Sequence, residues 1–64
     1  MTIPTIQIDL QIRCIEREIK MRITVYPRLV ANGKMSQTKA DNEYVAMCAV
    51  LETLRTIEEK ERLI

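Results

Sequence analysis

Histidine, tryptophan and phenylalanine are absent from this 64-residue chain, and glycine occurs only once. Without histidine, neither cysteine has the usual base to activate it as a nucleophile. The commonest zinc ligand is missing too, and no CxxC replaces it, so a structural zinc site is not expected. A single glycine cannot build a phosphate-cradling Gly-rich loop. No apolar run approaches the length of a membrane span. The first residues, Met1 to Thr5, carry no basic region, and the apolar positions after them are interrupted by Gln7, Asp9 and Gln11. No secretory leader is expected, and a soluble cytoplasmic protein is the reading. No cofactor and no metal is expected, and an enzyme is not.

What the chain does contain is two amphipathic stripes joined by an elbow. The first stripe is Ile8, Ile12, Ile15, Ile19, Ile23 and Tyr26; the second is Ala40, Tyr44, Met47, Leu51 and Leu54, with Ile57 trailing. Between them runs Tyr26-Pro27-Arg28-Leu29-Val30-Ala31-Asn32-Gly33-Lys34-Met35-Ser36. Steps of three and four place each stripe on one side of a helix. The fold class is therefore all-α: one domain over 1–64, an antiparallel helical hairpin with helices at about 5–30 and 37–62.

Residues 5–26 also alternate polar and apolar, which is a strand signal. However, the alternation slips at Ile15-Glu16-Arg17-Glu18, where no turn residue appears. The helical spacing crosses that point without a break. Asp9/Arg13, Glu16/Lys20 and Glu18/Arg22 stand four apart with the acid first, the favourable order on a helix. A short strand over 5–10 remains the alternative. Pro4, with Thr2 as a cap, suits a helix start. Pro27 disfavours helical conformation at Tyr26 and removes a donor, so a kink or break is expected there. Asn32-Gly33 reads as a helix stop, and Ser36 as the cap of the second helix. Lys39 occupies the place where a full capping box would have Glu or Gln.

Charge is unevenly spread within a net +1. Residues 13–39 hold seven bases against two acids, and residues 40–64 hold six acids against three bases. A basic helix lying beside an acidic one accounts for this simply. The sharper alternative is a face of Arg13, Arg17, Lys20, Arg28 and Lys34 that meets an acidic partner or nucleic acid. Against DNA reading, the first helix is long for a helix-turn-helix motif and no third helix supports it.

Cys14 and Cys48 fall on or beside the stripes and read as packed, reduced thiols. Folding near residue 33 sets them opposite Glu52 and Glu18 respectively, out of reach of each other. The carboxylate pairs Asp41/Glu43 and Glu58/Glu59 read as solvated helix-terminal acids rather than a catalytic pair. Tyr26 and Tyr44 lie near each other at the elbow. They form either a small cap on the core or, with Arg28 and Met35, a binding hot spot.

The apolar faces are wider than one helix pair can cover. Ile6, Leu10, Met21 and Val25 lie off the first stripe, and Val45, Cys48 and Val50 widen the second. Chains this small often need a staple, and self-association is the one left available. A homo-oligomer, with a dimer favoured, is therefore expected. Its interface or core consists of Ile8, Ile12, Ile15, Ile19, Ile23, Tyr44, Met47, Leu51 and Leu54. Two hairpins would make a four-helix bundle.

Residues 10–55 resemble a family of short uncharacterised proteins encoded by bacteriophages and prophages. The resemblance is carried by Ile15-Glu16-Arg17-Glu18-Ile19-Lys20-Met21-Arg22, the elbow Val25-Tyr26-Pro27-Arg28-Leu29-Val30, Gly33-Lys34-Met35, Ala40-Asp41, Met47 and Ala49-Val50-Leu51-Glu52-Thr53-Leu54. Family members often carry a larger aromatic where this chain has Leu29. The resemblance implies a phage setting inside a bacterial host and brings no catalytic residue. The expected function is that of a small non-enzymatic accessory protein acting on a host or phage protein by direct contact. A nucleic-acid-associated regulator using the basic face is the alternative.

Overall fold

A computed structural model describes residues 5–63; Thr2 and Pro4, read above as a helix start, lie outside the described residues. Two α-helices, α1 over Ile8–Ala31 and α2 over Gln37–Arg62, pack against each other as a hairpin. Residues 5–7 are neither helix nor strand. The first helix thus begins at Ile8, the first residue of its stripe, about three residues later than the expected onset near residue 5. Thr5 and Ile6 are β-branched, weak helix formers, and Ile8 is the first stripe residue to be partly covered. Gln7 caps α1 with extended backbone and no side-chain acceptor. Instead, Gln11 reaches back, its Nε2 donating to the Ile6 carbonyl at 2.8 Å.

Pro27 does not break the helix. It sits inside α1, and the helix runs on to Ala31. The missing N–H costs one hydrogen bond, yet Val30 and Leu29 beyond it are both half-buried. Continuing the helix keeps that last turn against α2, which a break at Tyr26 would forfeit.

The stop at Asn32-Gly33 forms as the sequence indicates. Gly33 takes φ +71°, the left-handed region that favours glycine. Its N–H donates to the Val30 carbonyl at 3.1 Å, and the Lys34 N–H donates to the Leu29 carbonyl at 2.9 Å. These two bonds make a Schellman closure and satisfy carbonyls that a helix end otherwise leaves open. Ser36 then starts α2, its hydroxyl accepting from the Lys39 N–H at 3.1 Å. Ser36→Ala should cost about 1 kcal/mol and lower the melting midpoint by roughly 4–8 °C. Circular dichroism checks this; an unchanged melt would mean that water caps the helix equally well.

The core is thin. Ile12, Ile19 and Ala40 are the buried apolar residues among those described, and no large side chain is wholly enclosed. Ile8, Ile15, Met47, Leu51 and Leu54 are half-buried. A compact 7.5 kDa chain would expose roughly 4250 Å², whereas this one exposes 5447 Å². Its radius of gyration is 14.8 Å, against about 11 Å for a compact domain of this length. The molecule is a slab of 47 × 29 × 17 Å, one layer of helix thick.

Candidate functional site

Three surfaces carry the side chains that sequence reading singled out. The first is a cavity of about 250 Å³ at the closed end of the hairpin, walled by Ile23, Tyr26, Pro27 and Val30 of α1 and by Ala40 and Tyr44 of α2, with Arg22, Gln37 and Asp41 at its edges. The two tyrosines do meet there. Arg28 and Met35, grouped with them above, line none of it. Ile23 is 55% exposed and Tyr44 is 39% exposed, so this end of both stripes is open in a single chain.

Arg22 is the residue that sequence reading undervalued. Its guanidinium donates to the Glu18 carboxylate at 2.7 Å and to the Glu18 carbonyl at 3.1 Å. That carboxylate bond holds the Arg22 pKa above its already high ordinary value; partial desolvation opposes it, and the Tyr26 hydroxyl adds to it. The Nε of Arg22 is buried with no hydrogen-bond partner among the described residues. The signal was present in the spacing: Glu18, Arg22 and Tyr26 stand four apart and share one side of α1. Across the cavity, Gln37 donates to Asp41 at 2.8 Å. The adjoining Cys48 thiol, through hydrogen bonding first and charge second, raises the Tyr44 phenol above its ordinary range, and desolvation adds to the shift.

The second surface is basic. Arg13, Arg17, Lys20, Arg28 and Lys34 are all exposed. At 100° per residue, Arg13, Arg17, Lys20 and Arg28 fall within about 80° of one another on α1. Of the three helical acid–base pairs expected from spacing, only Glu18–Arg22 forms among the described residues. Glu16 instead crosses to α2 and pairs with Arg55 at 3.1 Å. Asp9 accepts from the Leu10 N–H at the start of the helix. None of the five basic residues takes part in an ion pair among the described residues. The Glu16–Arg55 bridge joins half-exposed partners and contributes less than about 1 kcal/mol. It does fix which sides of the helices face each other at mid-length.

The third surface is apolar. Leu10 is 48% exposed, Met21 59% and Val25 39% on α1; on α2, Val50 is 43% and Ile57 41% exposed. Cys14 is also exposed, which corrects the expectation of two packed thiols: at 100° per residue it stands about 160° away from Ile12 on α1. Cys48 is half-buried, and both thiols are free. A groove of about 370 Å³ runs along this side, walled by Ile6, Leu10, Cys14, Ile15, Val50 and Leu54.

Among the described residues no cluster of histidine, cysteine or acidic side chains is arranged to hold a metal ion. No helix among them is long and apolar enough to cross a membrane. No protein-family model matches the chain, and neither a curated protein nor a solved structure is similar to it.

Proposed function

We propose that the chain is a small non-enzymatic accessory protein that acts by protein–protein contact, in a phage or prophage setting within the bacterial cytoplasm, and that it assembles with itself, as a dimer. The observation that carries this reading is the thin core. Ile12, Ile19 and Ala40 are the buried apolar residues, while ten large apolar side chains among those described stand exposed. Contiguous apolar surface on so small a molecule marks a contact site. The closed-end cavity offers two tyrosines and an arginine, residue types enriched in binding hot spots, set beside aliphatic walls. The phage setting rests on the resemblance of the elbow Val25-Tyr26-Pro27-Arg28 and of Gly33-Lys34-Met35.

The test is affinity capture from a bacterial host lysate, with wild type and a Tyr44→Ala, Ile23→Ser variant side by side. The expected result is a stoichiometric partner that the variant loses. Equal recovery from both would remove the closed end from the reading.

The unpaired basic side of α1 favours the second reading, an association with nucleic acid. In that case retention on DNA at low salt should fall steeply as salt rises and disappear in the Arg13→Glu, Arg17→Glu variant. No retention at low salt would dispose of it.

A further inference from the structure

The proposal of self-assembly leaves open which surface a second copy covers, and two lines of residues answer it. The first runs along α1 on the side opposite Ile12 and Ile19. Met21 is nine positions from Ile12, a rotation of about 180°. Leu10, Cys14 and Val25 fall within about 40° of Met21 in the same projection, as do Arg17 and Arg28. All six side chains are exposed. This line is thus apolar with two bases set into it.

The second line runs along α2. Val50 and Ile57 stand seven apart, and Glu43 and Glu61 lie on the same side, within about 20° of Val50, as does Lys39 in the first turn. Leu54 borders them and is half-buried. This line is apolar at its centre, with Glu61 toward its C-terminal end and Glu43 one turn beyond Lys39 toward its N-terminal end. As whole helices the two differ in the same sense: α1 carries five bases against three acids, and α2 carries six acids against four bases. Both lines flank the groove that Leu10, Cys14 and Ile15 share with Val50 and Leu54. The Glu16–Arg55 bridge, by contrast, involves neither line.

We infer that a second copy of this chain packs on this side of the hairpin, α1 of one protomer lying across α2 of its partner and reciprocally about a twofold axis, to form a four-helix bundle. A twofold contact must be self-complementary. A surface that pairs an apolar line bearing bases with an apolar line bearing acids meets that requirement. The area is adequate. The chain exposes 5447 Å², about 1200 Å² more than a compact chain of its mass, and a standard interface removes about 800 Å² from each partner.

This inference rests on self-assembly, so the first measurement is sedimentation equilibrium of the full chain at micromolar concentration. A dimer is expected; a folded monomer overturns both the assembly and this face. The second measurement separates them. In a Cys48→Ser protein, alkylation of Cys14 should slow by about tenfold or more as concentration rises through the assembly range, because the thiol passes from exposed to covered. A dimer in which Cys14 reacts as fast as in the dilute monomer uses another surface and overturns the inference alone. The third measurement exchanges charges at exposed positions away from the intramolecular seam. Arg17→Glu with Arg28→Glu should weaken the dimer about tenfold or more, through like charges brought face to face. Adding Glu43→Lys and Glu61→Lys to the same chain should restore most of the loss. Weakening without restoration, or no weakening, overturns the crossing of α1 over the partner's α2.

Discussion

Ile19→Asp is expected to abolish the hairpin at room temperature. Ile19 is one of three buried apolar residues among those described. Truncation to alanine at such a site costs about 2–4 kcal/mol. Aspartate adds the cost of placing a carboxylate where no hydrogen-bond partner waits. A domain of this length has only about 3–10 kcal/mol of stability in total. The helical circular dichroism signal should therefore collapse rather than shift. Ile23→Asp, one turn further on the same stripe but 55% exposed, should change the stability of the isolated hairpin by less than about 1 kcal/mol. If Ile19→Asp melts within a few degrees of wild type, the seam between α1 and α2 is not what holds the helices together.

Pro27→Ala is expected to act in the opposite direction and stabilise the protein. Proline inside a helix is about 3 kcal/mol less favourable than alanine, partly because the carbonyl four residues earlier, here that of Ile23, loses its donor. Two effects offset some of that. Alanine gives the unfolded chain back the freedom that proline restricts, worth about 0.4–1 kcal/mol, and it withdraws the pyrrolidine ring from the closed-end cavity. A net gain of about 1–2 kcal/mol remains, visible as a higher melting midpoint. A lower midpoint would show that the ring's packing beside Tyr26 and Tyr44 outweighs the helical penalty.

Much of this architecture could be read from local signals, and the exceptions have identifiable causes. The second helix was legible because Ser36 begins it and no glycine or proline interrupts 37–62. The turn was legible because only glycine takes the conformation at position 33 without strain. Of the kink or break expected at Pro27, the break does not occur, because the helix continues to Ala31 with Leu29 and Val30 half-buried in its last turn. The onset lies at Ile8, where the stripe itself begins, and not near residue 5, where Pro4 and Thr2 suggest a start. The pairing of Glu16 was misassigned. Spacing within one helix offers Lys20, and only the register between helices brings Arg55 to 3.1 Å. At the candidate surfaces, the tyrosines were recognised as neighbours. Arg22 is legible in part: its spacing from Glu18 marks the ion pair that forms, while the burial of its Nε follows from the fold and not from any sequence pattern.

The Gly33 turn has a consequence for how two chains share their helices. Its bonds are local, and nothing lies within 4 Å of the position a Cβ would occupy at Gly33, so no side chain packs against the turn at that point. If residues 32–36 became helical, α1 and α2 would fuse into a single rod of about 80 Å, and every contact now made within one chain could be made between two. The hairpin and the exchanged dimer differ chiefly in the state of that short segment, as in other domain-swapped pairs. With Gly33 in the left-handed region, the chain closes on its own helices, and the core of each protomer stays within that protomer.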